Sequence, residues 1–289
     1  MLYALALASA AVYGAADFLG GLASRRAGAI AIVVVSQCAG LIALVLMLPL
    51  LPAASPAASD WIWGAAAGVA GGAGVALLYR ALAITSMAIA APITAVCAVT
   101  VPVAVSIALG ERPGTGPLAG IALALASIVL VSQQDTREDS PSRPVAQGFS
   151  PVARAGVGTA LASGVAIGLF FLAIARTRAE AGMWPLVAAR GVSFVLFATL
   201  AVVTGRSLRM PARVTAIAVA GGLLDMLANV LYLLASRYGP LSIVVTLSSL
   251  YPASTMLLAR TVLGERLRAL QVIGIICALA AVLLIVGTR

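Results

Sequence analysis

The sequence predicts an all-α polytopic membrane protein with ten transmembrane helices. Of its 289 residues, 62% are hydrophobic and only 9% are charged, and the mean hydropathy is +1.12, which is far too apolar for a soluble protein. A helix needs about 20 apolar residues to cross a bilayer core of about 30 Å. Uncharged runs recur along the chain, and because they are continuously apolar rather than alternating, they indicate helices and not a barrel. These runs are residues 27–59, 61–79, 81–110, 113–134, 155–175, 238–259 and 269–288.

The first predicted helix precedes these runs and contains Asp17, and the next four helices occupy the first four runs in order. The N-terminal stretch has no basic segment before it and stays apolar as far as Gly21, so it is interpreted as the first span and not as a secretory signal. Each further apolar run supplies one more helix, and the charged residues between the runs mark the helix ends. The predicted helices of this half are 2–23, 28–50, 61–82, 86–109 and 115–132.

A polar linker follows at residues 133–153, where three prolines and charges of both signs predict a loop between two halves. The apolar runs then resume and predict five more helices. The chain is therefore divided into a first five-helix repeat at 1–132, the linker, and a second five-helix repeat at 154–289. The predicted helices of the second half are 155–175, 183–204, 214–236, 240–262 and 269–287.

Short sequence matches at a nearly constant separation indicate that the halves arose by duplication. "ALAS" occurs at 6–9 and 160–163, and "GER" occurs at 110–112 and 264–266, each pair 154 residues apart. "GIALALA" and "GIICALA" in the fifth and tenth helices repeat this separation, and two "LY" pairs are 153 residues apart. An offset shared by the first, third, fourth and fifth helices indicates an internal repeat.

An odd number of helices in each repeat has a geometric consequence. The second repeat must enter the membrane from the opposite side, so a pseudo-twofold axis in the membrane plane relates the two repeats. Inverted repeats of this kind favour a transporter, because an exchange of the two repeats' conformations turns a site open on one side into a site open on the other. The alternative is a duplicated membrane scaffold or receptor that transports nothing.

The motifs at the end of each repeat resemble a known family. Both repeats carry "LGER" before a fifth helix that opens with a glycine pattern, and the fuller copy is "SSLYPASTMLLARTVLGERLRALQVIGIICALAAVLLIVG" at 248–287. The chain resembles, over almost its whole length, the EamA-type transporters of the drug/metabolite transporter superfamily. The first copy departs from the pattern, since Pro102 lies nine residues before Glu111, against thirteen between Pro252 and Glu265.

The resemblance implies a ten-helix secondary transporter, commonly an exporter, in the plasma or inner membrane. It implies small organic solutes such as amino acids, metabolites or drugs as substrates and alternating access as the mechanism. "PLVAARGVSFVLFATL" at 185–200 also resembles the family's second-helix pattern, in which an Arg recurs at the place of Arg190. The first-repeat counterpart of Arg190 is Ser36, so this feature is present once.

A few polar residues inside the spans are candidates for binding a substrate or a coupling ion such as H⁺. Intramembrane ionisable residues normally face a bundle interior or a wet cavity. Tyr13 and Asp17 share a face of the first helix, and Asp225 begins a polar stripe on the eighth. Asp17 is alternatively a buried carboxylate satisfied by other helices or one that snorkels to the loop. Arg190 either forms an ion pair with Asp225 or recognises an anion. The binding candidates are Asp17, Tyr13, Arg190, Asp225, Asn229, Tyr232 and Tyr79.

Prolines and the two "GER" sequences are interpreted as architectural features. A proline inside a helix removes a backbone hydrogen bond and bends the span, which suits a gate, although such kinks also occur where nothing moves. The gating candidates are Pro92, Pro102 and Pro252. The "GER" sequences stand at helix ends, where they are expected to cap the helices. These structural candidates are Gly110, Glu111, Arg112, Gly264, Glu265 and Arg266.

Several other functions find little support. The chain has no His and no Lys, so metal-histidine and Schiff-base chemistry are excluded, and no cofactor or metal site is predicted. Its three cysteines lie in apolar runs without paired spacing and are expected to be packing residues. Asp17 and Asp225 do not fit the Tyr-Asp and Gly-x-Gly-Asp signatures of intramembrane aspartyl proteases, so the chain is not expected to be an enzyme.

The 18 arginines give a net charge of +9, which predicts orientation and not nucleic-acid binding. Twelve arginines lie in or beside the loops that follow odd-numbered helices and five lie on the even side, while Arg190 lies inside a span and is not counted. The positive-inside rule therefore places the odd-numbered loops in the cytoplasm and both termini outside. The expected partners are a small-molecule substrate, a coupling ion and the lipid bilayer.

Overall fold

A computed structural model describes residues 1–24, 26–84, 87–131, 151–263 and 269–287. Among these residues the regular structure is entirely helical, with eleven α-helices and two short 3₁₀ turns at Leu48–Leu50 and Ala179–Ala181. The α-helices are α1 (Leu2–Ser24), α2 (Ala29–Met47), α3 (Ala58–Ile84), α4 (Met87–Ala108), α5 (Thr115–Val131), α6 (Pro151–Ala175), α7 (Trp184–Val203), α8 (Ala212–Ser236), α9 (Leu241–Ser248), α10 (Tyr251–Leu263) and α11 (Ala269–Gly287).

The helices supply ten apolar segments, which confirms the predicted fold class. Eight segments in the described chain are long and apolar enough to cross a membrane, and one of these, Leu241–Val262, consists of α9 and α10 together. Two shorter apolar helices, Ile93–Ala108 and Thr115–Leu130, complete the set. The helix ends differ from the predicted ones by a few residues. For example, α3 begins at Ala58 because the Asp60 carboxylate accepts the Ala57 N–H at 2.8 Å and caps the helix.

The prediction of one continuous ninth helix over 240–262 is wrong. α9 ends at Ser248 and α10 begins at Tyr251, so two residues separate them. Pro252 explains the interruption, because it has no N–H to donate to the Ser248 carbonyl four residues earlier. The N–H of Ala253 then donates to Leu250 at 3.1 Å, which starts the new helix. The ninth span is thus a discontinuous helix.

Helix packing follows the pseudo-twofold symmetry that an inverted repeat requires. Exchanging the repeats replaces α1 with α6, α2 with α7, α3 with α8, α4 with α9–α10 and α5 with α11. The contact of α1 with α8 then corresponds to that of α6 with α3, and the contact of α2 with α8 to that of α7 with α3. α5 packs on its own counterpart α11. Because the strongest contacts join the two repeats, the halves are interleaved and not side by side.

The repeated "ALAS" sequences explain this packing at the level of single hydrogen bonds. The Ser9 hydroxyl donates to the Ala228 carbonyl of α8 at 2.9 Å, and Ser163, 154 residues later, donates to the Gly74 carbonyl of α3 at 2.7 Å. Ala228 and Gly74 are also 154 residues apart. The two bonds are therefore the same interaction in both repeats.

The first residue of each "ALAS" sequence takes part in a second symmetric pair. The Ala160 carbonyl accepts a hydrogen bond from Thr94 at 3.1 Å, and the Ala6 carbonyl accepts one from Ser248 at 3.4 Å. Each bond ties the first helix of one repeat to the fourth span of the other. In a bilayer, where apolar burial does not drive helices together, such bonds and close contacts hold a bundle.

Close approach between helices is symmetric as well. A Cβ on Gly222 of α8 would clash with the backbone oxygen of Ser36 in α2, and a Cβ on Gly68 of α3 would lie 2.5 Å from the backbone oxygen of Ala189 in α7. Gly68 and Gly222 are 154 residues apart. Glycine is thus required at the same place in both repeats, because any side chain would push the helices apart.

Ser9→Ala and Ser163→Ala are expected to destabilise the fold equally. Each variant removes one buried interhelical hydrogen bond, which is worth about 0.6 kcal/mol on average in a membrane protein and at most about 1.7 kcal/mol. The free energy of unfolding, measured by reversible denaturation in mixed micelles, tests this. Ser207→Ala is the control and should have little effect, because the Ser207 hydroxyl is exposed and accepts only the Arg209 N–H of its own loop. A large effect of one variant with none of the other contradicts equivalence of the two contacts.

Candidate functional site

The first helix is held against the broken ninth span by Gly14. A Cβ on Gly14 would lie 2.5 Å from the Cβ of Ser254 in α10, so only glycine permits this approach. The Thr255 hydroxyl donates to the Gly14 carbonyl at 3.1 Å. This contact turns the side chains of Tyr13 and Asp17 toward the helices of the second repeat.

Asp17 is exposed to solvent although it lies inside a span. Within the described residues it makes no hydrogen bond or ion pair, and its charge interacts with Asp225 of α8 and Tyr251 of α10. The exposed residues Ala4 and Ala11 share another face of α1, about 120° around the helix from Asp17. Asp17 therefore lies on the side of α1 that meets α8 and α10, and not on the face that carries Ala4 and Ala11.

Arg190 of α7 forms an ion pair with Asp225 of α8 and also donates a hydrogen bond to the side-chain oxygen of Gln37 in α2. The Arg190 side chain is 12% exposed, whereas that of Asp225 is 36% exposed. Three helices thus meet at one guanidinium whose charge is balanced by a carboxylate. Sequence reasoning missed Gln37, although an amide inside the apolar run of α2 was a usable signal.

The stripe on α8 divides into two parts. The Asn229 side-chain N–H donates to the Asp225 backbone carbonyl at 2.7 Å, and the Asn229 side-chain oxygen is buried without a hydrogen-bond partner. Tyr232 is fully buried; its hydroxyl donates to the Phe171 carbonyl at 3.2 Å, and the two ring centroids are 4.7 Å apart. Asp225 and Asn229 therefore belong to the polar cluster, and Tyr232 packs against its edge.

Aromatic side chains enclose the cluster. The ring of Tyr13 lies between Phe171 and Tyr251, with centroid distances of 6.4 and 6.2 Å. Its hydroxyl is buried without a hydrogen-bond partner and interacts with the charges of Asp225, Arg190 and Asp17. The sequence did not single out Tyr251 as a site residue, although it stands directly before Pro252. Tyr13 thus joins the acidic and aromatic groups into one candidate site.

The remaining candidates lie elsewhere or outside the described residues. Tyr79 is in α3 and Pro92 is in α4, but the structure does not describe their side chains. Pro102 is buried in α4, which continues through it without a break. The second "GER" sequence, Gly264, Glu265 and Arg266, lies outside the described residues.

The first "GER" sequence closes one helix and caps another. Gly110 has a φ of 101°, and the N–H of Glu111 donates to the Ser106 carbonyl at 3.0 Å, which is a glycine-based helix end. The Glu111 carboxylate accepts hydrogen bonds from the Ser242 N–H at 3.2 Å and from the Ser242 hydroxyl. Glu111 therefore caps α9 of the other repeat, while Arg112 is exposed.

An ion pair between buried Asp60 and half-exposed Arg178 ties the loops together at the end of the bundle where α3 and α7 begin. Asp60 is 1% exposed and accepts the Arg178 backbone N–H at 2.9 Å and the Arg178 guanidinium at 2.9 and 3.1 Å. The Ser55 N–H donates to the Glu180 carbonyl at 2.8 Å. These contacts join the loop before α3 to the loop before α7, and we call this end of the bundle the Asp60 face.

Arg237, after α8, extends the same network by donating to the Gly182 carbonyl at 2.5 Å. Burial lowers the pKa of the Arg237 guanidinium from its ordinary value, while the nearby charges of Glu180 and Asp60 raise it. Three loops are therefore tied at the Asp60 face. Phe171 and Tyr232 lie one turn below it, between this face and Asp17.

Beyond Asp17, α1 has free space beside it in the described part of the chain. A Cβ on Gly20 or Gly21 would meet no described atom within 4 Å, and Gly21 is exposed one turn beyond Asp17 on the same face. An apolar groove along the outer side of α7 is lined by Gly191, Val192, Val195, Leu196, Thr199, Leu200 and Val203 and contains no ionisable group. Gly20 and Gly21 thus continue the face of α1 that carries Asp17 away from the Asp60 face.

Comparisons with known proteins agree with this architecture. The model of the EamA-like transporter family matches the chain twice, at residues 1–133 and 154–287. A solved structure, described only as the crystal structure of a protein, is similar with a TM-score of 0.74 and 19% sequence identity over 96% of this chain and 95% of that chain. At that identity the likeness shows the fold alone. No curated protein sequence matches the chain.

Cysteines placed on the two exposed faces of α1 should differ in reactivity. In a background without Cys38, Cys97 and Cys277, Gly21→Cys should react rapidly with a hydrophilic thiol reagent, because thiolate formation requires water. Ala11→Cys, on the face about 120° away, should react slowly in a bilayer. Labelling rates in nanodiscs measure the difference, and equal rates contradict a wet space beside Asp17.

Proposed function

Because the chain belongs to the EamA-like transporter family and is a multi-pass membrane protein, we propose that it carries small organic solutes across its membrane by alternating access. The proposed binding site is the space that Asp17 lines between α1, α8 and α10. The observation that carries this proposal is the exposed, unpaired carboxylate of Asp17 inside an inverted-repeat bundle. An ionisable residue at such a position is costly unless it is hydrated and used.

The location of the site between the repeats supports the mechanism. Tyr13 and Asp17 come from the first repeat, whereas Asp225, Asn229 and Tyr251 come from the second. A relative movement of the repeats therefore changes access to the site and its geometry together. The α9–α10 interruption at Pro252 is the proposed hinge, because its backbone is not held by a continuous ladder of helical hydrogen bonds.

The network at the Asp60 face supports an assignment of conformational state and direction. Its contacts join the loops across that face, whereas in the described part of the chain Gly20 and Gly21, beyond Asp17, border free space. The arginine distribution favours the cytoplasm for that end and so supports this assignment. We therefore propose that the structure represents the inward-open state of an exporter, which receives its solute from the cytoplasm, and that Asp17 also exchanges the coupling ion.

Asp17→Asn is expected to abolish transport and leave folding intact. The amide is nearly the same size and retains hydrogen-bonding capacity, while the charge that binds a cation or exchanges a proton is lost. The solute is first identified by thermal-shift screening of the purified chain, because a ligand of the folded state raises its stability. Flux of that solute into proteoliposomes then tests the variant.

Ala11→Ser, a conservative change on the other exposed face of α1, is the control for Asp17→Asn and should retain flux. Wild-type flux by well-folded Asp17→Asn would refute the assigned role of the carboxylate. If the unaltered chain moves none of the solutes that stabilise it, the alternative of a membrane scaffold or receptor is favoured over a transporter.

Asp60→Asn is expected to open the Asp60 face. The change removes charge-assisted hydrogen bonds worth about 1.5–3 kcal/mol, which corresponds to a shift of about tenfold to a hundredfold in the balance of the two states. The measurement is the rate at which a membrane-impermeant thiol reagent, applied at that face, reaches Gly21→Cys in sealed vesicles.

Glu180→Gln is the matched control for Asp60→Asn, since this exposed acid contributes its backbone carbonyl and not its side chain to the network. Its labelling rate should equal that of the parent. A rate for Asp60→Asn that also equals the parent's contradicts the gating role of the ion pair.

A further inference from the structure

The charges of the candidate site do not cancel. Among the described residues the ionisable groups that interact at Tyr13 include the carboxylates of Asp17 and Asp225 and the guanidinium of Arg190. Arg190 and Asp225 form an ion pair, so they neutralise each other. The carboxylate of Asp17 has no such partner in the described chain, so its ionised form leaves one negative charge that only a bound cation can balance.

We infer that this site selects organic solutes with one net positive charge on a protonated amine, and that Asp225 sets this selectivity by neutralising Arg190. The inference rests on the proposed function, because it concerns the same site. The inference adds to that function the chemical class of the substrate, a protonated amine. It also adds a role for Asp225, which determines specificity without being the primary ligand.

The hydrogen-bonding groups of the site match an ammonium. An ammonium carries only donors, and a carboxylate carries only acceptors. The Asp17 carboxylate has no partner in the described chain, and the buried oxygens of Tyr13 and Asn229 have none either. The carboxylate and the amide oxygen can only accept, and the Tyr13 hydroxyl can accept as well. A solute that brings donors satisfies groups that the protein leaves unsatisfied.

The aromatic rings favour the same charge. Tyr13 and Tyr251 stand 6.2 Å apart beside Asp17, with their ring planes inclined at 58°. A cation near an aromatic face is attracted by the ring quadrupole, by about 0.5–2 kcal/mol for a cation–π contact. An anion at the same place meets the opposite sign from both rings and from Asp17.

The ion pair also disfavours a solute carboxylate. Arg190 is the only cation assigned to the described site, and its guanidinium already bonds Asp225 and Gln37. A zwitterion or an anion has to displace Asp225 to reach it, which leaves a second carboxylate without a partner beside Asp17. Separating this pair costs free energy, because Arg190 is mostly buried and loses its charged partner.

Three compounds with the same ring and different charges test the inference. Near neutral pH, phenethylamine is a cation, L-phenylalanine is a zwitterion and 3-phenylpropanoate is an anion. Their affinities for the full chain in nanodiscs are measured by isothermal titration calorimetry. The unaltered chain should bind phenethylamine at least about tenfold more tightly than the other two, the ratio that one charge-assisted hydrogen bond supplies.

Changes of the two carboxylates should alter this order in a defined way. Asp17→Asn removes the unbalanced charge and should abolish the preference for the amine. Asp225→Asn frees Arg190, so the site then holds one charge of each sign and should prefer L-phenylalanine by about tenfold. Adding Gln37→Glu to Asp225→Asn returns a carboxylate to Arg190 and should restore the preference for phenethylamine.

Gln37→Glu alone keeps the test decisive if Asp225→Asn does not fold. It adds a second acid beside Arg190 and should strengthen the preference for phenethylamine without improving L-phenylalanine. A wild-type preference for the zwitterion or the anion overturns the inference, as does the absence of binding by all three compounds to folded protein. An unchanged order in both Asp225→Asn and Gln37→Glu overturns the role of Asp225.

Binding and flux separate this inference from the proposed function. If the affinities follow the predicted series and no compound crosses a proteoliposome membrane, the selectivity stands and the transport proposal fails. If solutes cross and the chain prefers anions or zwitterions, the transport proposal stands and the charge selectivity fails.

Discussion

The contact of α1 with α8, together with its counterpart between α6 and α3, is the interaction on which the rest of the structure depends. Helices in lipid are held by close packing and interhelical hydrogen bonds, because the bilayer is already apolar. The bond from Ser9 to the Ala228 carbonyl fixes how the two helices cross. Tyr13 lies one turn after Ser9, and Asn229 directly follows Ala228, so the contact that builds the bundle also assembles the polar site.

The same helix–helix contact is formed with different residues in the two repeats. Where α1 and α8 place Asp17, Asp225 and Asn229, the residues 154 positions away are Phe171, Gly71 and Val75. α6 packs on α3 with these apolar residues, and Ser163 bonds the Gly74 carbonyl as Ser9 bonds Ala228. The fold therefore does not require the charges of the first contact. A charged group that the scaffold does not need, and that costs free energy in a membrane, is best explained by function.

Much of the fold was predictable from the sequence, because apolar run length and the 154-residue offset report directly on spans and repeats. The break at Ser249 and Leu250 was not, since Pro252 alone does not distinguish a bent helix from a divided one. Helical periodicity correctly put Tyr13 beside Asp17, but it cannot say which helix a face meets. It therefore placed Tyr232 in the stripe with Asp225, although Tyr232 packs on Phe171. Periodicity also could not predict contacts between distant helices, such as those of Glu111 with Ser242 and of Arg190 with Gln37.

The residues of the ion-pair network at the Asp60 face are not repeated in the sequence at the offset of 154, and this restricts the proposed cycle. The residues 154 positions from Asp60 and Arg178 are Val214 and Ser24, so an exchange of the repeats' conformations breaks the network without forming its equivalent. The state closed at the Asp60 face is then favoured by the free energy of that network. A ligand shifts such a balance only by its difference in affinity for the two states. For export, the solute held at Asp17 must therefore bind more tightly when the Asp60 face is open. Such a difference in affinity can arise at this site because α1 belongs to the first repeat, whereas α8 and α10 belong to the second. The distance between them changes as the Asp60 face opens.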